Sequence, residues 1–346
     1  MLKYSLGIDV SKKDLHACLS VIDSAQQVKI QATRKFTNQP LGLKELQAWL
    51  NKHRKQSEVP LIIVMESTGV YYEKAAIFFH KAGYNVAVVL PNKAKKYLQA
   101  LGLKTKNDHV DAEGLAKMGA QQCLEPWVPM DEFFYELRAL TRHHQDLHEM
   151  KTSINNQLHA IQHSSYSSKE VLKQLKKLIT TMDKQIKDTE ARIAKHLGSN
   201  TIVARKLAHL MAVKGLGLMS IATVLAETNG FTLFKSIGQL VSYAGYDVIE
   251  NQSGAKKGKT RISKKGNSHI RRVLHMPAFN VVRYSTGNFR QFFERLLSRQ
   301  NQKMKAYVAV QKKLLVLIYT LWQKNEPFCP CIIKASRDKE AALSFA

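Results

Sequence analysis

The chain has 346 residues, 45% of them hydrophobic, which is enough for two or three domains with packed cores. Lys and Arg number 53 against 27 Asp and Glu, a net charge of +26 that runs through the whole chain. Such self-repulsion is relieved by a polyanion, so nucleic acid is the leading partner and a membrane surface the weaker one. The composition also excludes a disulfide framework (four scattered cysteines), and neither a signal-peptide core nor an apolar run of membrane-spanning length is present.

Residues 4–10 read as a short buried strand that carries Asp9 near its end. Residues 15–22 and 28–36 are two more strands, with a turn at 23–27. Apolar residues at 41, 43, 46 and 50 have the period of a helix. The continuous run at 59–65 predicts a central strand, and it too ends in an acid, Glu66. A helix over 70–82, a strand over 84–90 and helices over 92–101 and 108–121 follow. Three meandering strands, then alternating helix and strand, is the order of a ribonuclease H-like mixed sheet.

The acids sharpen that reading. A carboxylate at the end of an apolar strand is costly to bury unless it is paired or holds a metal. Asp108 and Asp111 lie three residues apart and share one helix face. Four carboxylates on two strands and one helix can hold two Mg²⁺ ions (or Mn²⁺) for phosphoryl transfer. Taken singly, each has a plainer role: Asp108 as a helix N-cap, Asp9 as a turn opener, Glu66 as a cap of the next helix. His109 points away from the face of the two aspartates.

Pro126 and Pro129 mark a linker. From Asp131 the spacing of apolar residues gives a coiled-coil seam in which His144 fills one slot. The seam breaks at 163–168, and Ser167 with Glu170 fits a capping box for a second long helix ending near Gly198. Residues 129–200 thus form a long antiparallel helical hairpin, suited to spacing or oligomerisation. A Gly-Leu-Gly turn at 215–217 opens an apolar helix, with further helices over 233–243, 270–283 (kinked by Pro277), 288–299 and 304–323. Between Tyr243 and Arg272 lies a glycine-punctuated basic stretch containing Lys256, Lys257, Lys259, Arg261, Lys264, Lys265, Arg271 and Arg272. Such a loop feeding a helix suits phosphate binding, and a solvated surface loop accounts for it equally well. Cys329-Pro330-Cys331 lacks the further ligands of a zinc site.

Together these motifs resemble a known family. GIDVSK with Asp9, MESTGVY with Glu66 and NDHVDA with Asp108 and Asp111 look like the acidic tetrad of the DEDD transposases of the insertion sequence 110/1111 family, which includes the Piv-type invertases. The second half is similar as well: the Gly-Leu-Gly helix, Tyr243-Ala244-Gly245, Ser253-Gly254, and RISKKGNSHIRR followed by HMPA. One departure is Tyr246-Asp247, where many members have Gly-Leu-x-Pro. The resemblance implies a RuvC-like domain (1–128) and a mainly helical transposase domain (201–346) flanking the coiled-coil hairpin (129–200). It further implies a transposase or site-specific recombinase that cuts and rejoins donor and target DNA. Asp9, Glu66, Asp108 and Asp111 would hold the metal and Ser253 would form a phosphoserine link, with Ser263 as its competitor. The implied partners are an element-encoded guide RNA and other copies of the chain, as a dimer or tetramer. The expected location is cytoplasmic, in a bacterium or archaeon and at the nucleoid, with no membrane contact. The rival reading is a RuvC-like junction endonuclease that uses metal-activated water.

Overall fold

A computed structural model describes residues 1–102, 107–250, 252–253, 256–258, 260–284 and 288–328. The chain divides into two compact units, Met1–Pro129 and Met130–Ala346, so the expected helical hairpin falls within the second.

The first unit is built on a five-stranded sheet. Its elements in order are β1 (Lys3–Val10), β2 (Asp14–Ile22), β3 (Val28–Thr37), α1 (Pro40–His53), β4 (Leu61–Glu66), α2 (Tyr72–Lys81), β5 (Asn85–Val89), α3 (Pro91–Ala100) and α4 (Asp108–Gln121). The strand order is β3-β2-β1-β4-β5. β1, β2 and β3 pair antiparallel, whereas β4 runs parallel to both β1 and β5. This mixed sheet with helices on its faces is the arrangement expected from the sequence, and it fits a ribonuclease H-like fold. Leu6, Ile8, Leu15 and Leu19 are buried with Leu46 and Leu50 of α1 and Phe79 of α2. Ile62, Val64 and Ala87 instead join Leu115 and Met118 of α4 in a separate cluster. Alternate residues of one strand therefore feed different layers, as the period of two requires.

α4 crosses the sheet closely because small residues meet there. A Cβ on Gly7 would lie 2.2 Å from the Ala112 carbonyl oxygen, and one on Gly119 2.2 Å from Ser5 Oγ. Pro91 follows the strand and opens α3, where its missing N–H costs nothing.

The second unit is mainly helical. α5 (Glu132–Gln162) and α6 (Lys169–Ser199) form the hairpin; α7 (Thr201–Met211), α8 (Leu218–Glu227) and α9 (Ile237–Tyr243) follow. After the basic stretch come α10 (Ser268–Val273), α11 (His275–Tyr284), α12 (Asn288–Gln300) and α13 (Lys303–Lys324). The cap of α6 is Ser168, whose hydroxyl accepts from the Val171 amide, and not the expected Ser167. The helix expected over 233–243 begins only at Ile237, where Ser236 caps it. The kink expected from Pro277 falls at Leu274, a one-residue interruption between α10 and α11 in the turn preceding the proline, where its ring and absent N–H act. Gly215 takes φ +93 and lies against Val281, so this turn is set by close packing as well as by backbone freedom. The core of this unit gathers Ile193, Leu197, Ile221, Leu225, Phe231, Leu274, Val281, Leu314 and Ile318. The expected seam of the hairpin is buried at Leu137, Leu147, Leu175, Ile186 and Ile193, but Met150 is 54% exposed. Cys329-Pro330-Cys331 lies outside the described residues.

Candidate active site

The four acids come from three elements, two strands and one helix, and gather around Asp9. Asp9 sits on β1 and Glu66 ends β4, next to it in the sheet. Asp108 and Asp111 occupy the first turn of α4. The close approach of α4 at Gly7, two residues before Asp9, carries that turn over the strand. Burial pushes the Asp9 carboxyl up to about 6, and the charges of Asp108, Asp111 and Glu66 add to it, opposed by a hydrogen bond from the Val10 amide. The plainer roles are not filled. The N-cap of α4 is Asn107, whose side chain accepts from the Val110 amide, leaving Asp108 inside the helix. Glu66 accepts a hydrogen bond from Thr68 Oγ1, and α2 begins only at Tyr72, without a side-chain cap. The turn after Asp9 is closed by Ser11 and Asp14.

His16 completes the cluster. It faces Asp9 across the β1–β2 ladder, and its Nδ1 lies 3.4 Å from Asp108 Oδ2, without hydrogen-bond alignment. Asp9, His16 and Asp108 each present a donor atom within 4.8 Å of the others. Oxygen donors converging on a carboxyl that resists ionisation fit a divalent cation, which would restore the charged form. Beside the acids a shallow pocket is lined by His16, Thr33, Arg34, Lys35 and His109. His109 turns toward Thr33 and Glu113. Cys18, packed with Ala112 and Ala116, has its thiol pushed up to about 12 by burial, so it is no nucleophile.

The basic stretch is more ordered than a loop. β6 (Val248–Ile249) pairs with β9 (Arg261–Ile262), and inside that ribbon β7 (Gln252–Ser253) pairs with β8 (Lys256–Lys257). Ser253 stands opposite Lys256 in the backbone register. Gly254, Ala255 and Lys259 lie outside the described residues. The base of the stretch is pinned: the amides of Ser263, Lys264 and Asn267 donate to the carbonyls of Asp247, Gly245 and Tyr243. Gly245 (φ +72) and Gly266 (φ +157) make this crossing possible, since a Cβ on Gly266 would lie 2.3 Å from the Tyr243 carbonyl oxygen. Ser263, the competing serine, accepts from the Lys265 amide through its hydroxyl. Tyr246, at the departure from the family pattern, is buried and donates to Gln311.

Arg271 and Arg272 are engaged within the protein. Arg271 donates to the carbonyls of Ala244 and Asn267, and Arg272 pairs with Glu149 on α5. Beneath them Glu227 is fully buried and receives both Arg142 Nε (2.7 Å) and Nη2 (2.9 Å), together with Asn267 Nδ2 at 2.6 Å. Burial opposes ionisation of Glu227, but these donors hold its carboxyl below the usual range. Asn267 also caps α10.

Two family profiles match in chain order. One for DEDD transposases of the IS110 type, described as Transposase, covers residues 6–166. The other, described as Transposase IS116/IS110/IS902 family, covers residues 207–294. The chain belongs to the IS110 family of transposases. Similar over nearly its whole length are the pilin gene-inverting proteins of Moraxella bovis and Moraxella lacunata. Each is 28% identical over 331 residues, covering 95% of this chain and 98% of the relative. A probable family 20 transposase of Pseudomonas aeruginosa is 21% identical over 78% of this chain and 86% of its own. Among solved structures, Thermus thermophilus RuvC matches with a TM-score of 0.28 and 14% identity, covering 36% of this chain and 99% of RuvC. This IS110 transposase is thus a DNA recombinase, with DNA as its partner and a divalent metal implied. Among the described residues no helix is long and apolar enough to cross a membrane.

Sequence patterns passed over two features of this transposase. His16 was detectable from the hairpin register, because it pairs with Asp9 once β1 and β2 are aligned. The Arg142–Glu227–Asn267 network gave no local signal, since its members lie 85 and 40 residues apart.

Proposed function

We propose that this transposase exchanges DNA strands through a covalent phosphoserine at Ser253, with Asp9, Glu66, Asp108 and Asp111 holding a pair of Mg²⁺ (or Mn²⁺) ions. The convergence of the other three acids on Asp9 carries this reading, because a carboxyl raised to about 6 by burial first and by its neighbours' charges next is what a shared cation would relieve. When bound, such ions stabilise charge on the oxygens around a reacting phosphorus. The chain's own groups then have separate tasks. Asp9 and Glu66 fix the donor set on strands, and the first turn of α4 supplies the remaining acids. Ser253 Oγ bonds to a DNA phosphorus, the phosphorus–deoxyribose oxygen bond breaks, and the released oxygen leaves as a hydroxyl with the serine's proton delivered through a base or water. Lys256, Lys257, Lys259, Arg261, Lys264 and Lys265 offset phosphate charge around that serine. Reversal onto a different strand end reseals the backbone without an external energy source, which suits recombination better than hydrolysis.

The net charge of +26 is large enough to accommodate an RNA beside the DNA, and an element-encoded guide RNA is the partner this reading includes. The assembly is a dimer or tetramer, and the protein works at the nucleoid. The test is a denaturing gel of the full chain incubated with labelled donor DNA, Mg²⁺ and co-expressed RNA. A protein-linked band is expected from the wild type and none from Ser253→Ala, with DNA binding retained. Continued cleavage by Ser253→Ala without any adduct would instead identify a junction nuclease that uses water. An adduct that survives Ser253→Ala and disappears in Ser263→Ala would move the nucleophile.

A further inference from the structure

The hairpin carries a cluster with no part in the DNA chemistry above. His144 and His148 lie one turn apart on α5, their ring centroids 4.6 Å apart. Glu190 reaches across from α6, with its Oε1 3.1 Å from His144 Nε2. One donor atom from each of the three lies within 4.8 Å of the others. His144 occupies a slot of the apolar seam and its side chain is only 14% exposed, whereas Glu190 is 45% exposed. An ion pair accounts for His144 and Glu190 but leaves His148 unexplained.

We propose that His144, His148 and Glu190 form a transition-metal site that clamps α5 to α6, with Zn²⁺ as the fitting ion. Two imidazoles at i and i+4 on one helix face, with a carboxylate from a facing helix, supply a two-histidine, one-carboxylate donor set and leave a fourth position for water. With two imidazoles and one carboxylate, against one imidazole (His16) among four carboxylates on the sheet, this site favours zinc-like ions over Mg²⁺ the more strongly. Binding replaces the proton between His144 Nε2 and Glu190 with the metal. The nearest further charges, Lys151 and Asp183, neutralise each other in a salt bridge.

The clamp would bear on the basic stretch through α5 itself. Arg142, Gln145 and Glu149 form another stripe on that helix, and they hold Glu227, His269 and Arg272 respectively. Fixing α5 against α6 thus fixes the helix on which the base of the Ser253 ribbon rests.

The test uses the full chain with Cys329→Ser and Cys331→Ser, stripped of metal and held in excess Mg²⁺ to fill the acid cluster. Zn²⁺ is titrated against a chromophoric chelator, and thermal unfolding is followed with and without Zn²⁺. One tightly held Zn²⁺ and a raised Tm are expected. His148→Ala and Glu190→Gln, both at exposed or half-buried positions, should keep the circular dichroism of the parent. Each should weaken binding by at least the roughly 10- to 100-fold that even outer-shell losses cost, and each should abolish the Tm shift. Failure of the parent chain to compete for Zn²⁺ overturns the site, as does equal affinity in either variant. Neither outcome bears on Ser253 or the four acids.

Discussion

The two halves of the proposed machinery are held in place by different forces. The acids ride on β1, β4 and α4, and those elements are fixed by apolar packing: Ile8 and Met65 are fully buried, and α4 presses onto β1 through Gly7, Ala112 and Ala116. Among its described side chains, the Ser253 ribbon reaches the apolar core through Ile262. It grows from a base tied by backbone hydrogen bonds and by the buried Arg142–Glu227–Asn267 network. A metal cluster needs carboxylates set to within tenths of an ångström, and strands and a packed helix provide that. A strand-exchanging serine has to meet DNA, and a ribbon rooted in a hydrogen-bonded polar base suits that task.

The most severe way to break the first half is Asp9→Asn. Strand transfer should fall below detection while DNA binding persists. The same substitution should strengthen the metal-free fold at high pH. With a folded value of about 6 against 3.8 unfolded, Asp9 takes up a proton on folding between those values. Its contribution is therefore present below pH 3.8 and is lost as pH rises through about 6. In a chelator, Asp9→Asn should melt above the wild type at pH 8 and level with it at pH 4. An equal gap at both pH values would show that Asp9 does not carry this strain. Mixing Asp9→Asn with Ser253→Ala reads out the relation between the halves: recovered transposition would mean that acids and serine act from different subunits.

The matching break in the second half is Glu227→Ala. It leaves Arg142 without its buried partner and removes the anchor of Asn267. Removing one member of a buried pair costs about 3–5 kcal/mol, and the half-exposed Arg142 points to the lower end. Chemical denaturation should show a transition of the second unit at lower denaturant, and the Ser253 adduct should weaken although no DNA-facing charge has changed. Gly7→Ala is the counterpart in the first unit. Its Cβ would meet the Ala112 carbonyl, so α4 must shift, at about 1–3 kcal/mol. That shift carries Asp108 and Asp111 away from Asp9, so activity should drop further than stability. Unchanged activity in Gly7→Ala would mean that the acids tolerate loose placement.

This contrast also explains what could be read from the sequence. The sheet was legible because β1 and β4 are apolar runs with acids at their ends, and the hairpin because its seam repeats. Asp9 and Glu66 could be paired as neighbours for the same reason. The footing of the ribbon could not be read, because Arg142, Glu227 and Asn267 belong to three elements and look like ordinary polar residues on each. The basic charges of 256–265 masked two short antiparallel pairings, each of two residues on a side. Arg271 and Arg272 read as phosphate contacts by charge, and the fold adds a second task that charge could not show: they also hold backbone carbonyls and Glu149.

The smallest effect separates placement from stability most cleanly. Asn107 caps the turn that bears Asp108 and Asp111, and its Oδ1 is 2.8 Å from the Val110 amide. Ser168 caps α6 in the same way at 3.4 Å. Replacing either cap by alanine should cost about 1 kcal/mol or less, with the longer contact at Ser168 nearer 0.5. The functional outcomes should diverge. Asn107→Ala loosens the turn that completes the acid cluster, so the Mg²⁺ concentration needed for half-maximal adduct formation should rise, and Asn107→Asp, which keeps a capping oxygen, should restore it. Ser168→Ala loosens only the start of a hairpin helix, and its Mg²⁺ dependence should match the wild type. Equal Mg²⁺ dependence in both variants would place the burden of aligning Asp108 and Asp111 on the Gly7 contact alone, and would make the packing of α4 against β1 sufficient for the site.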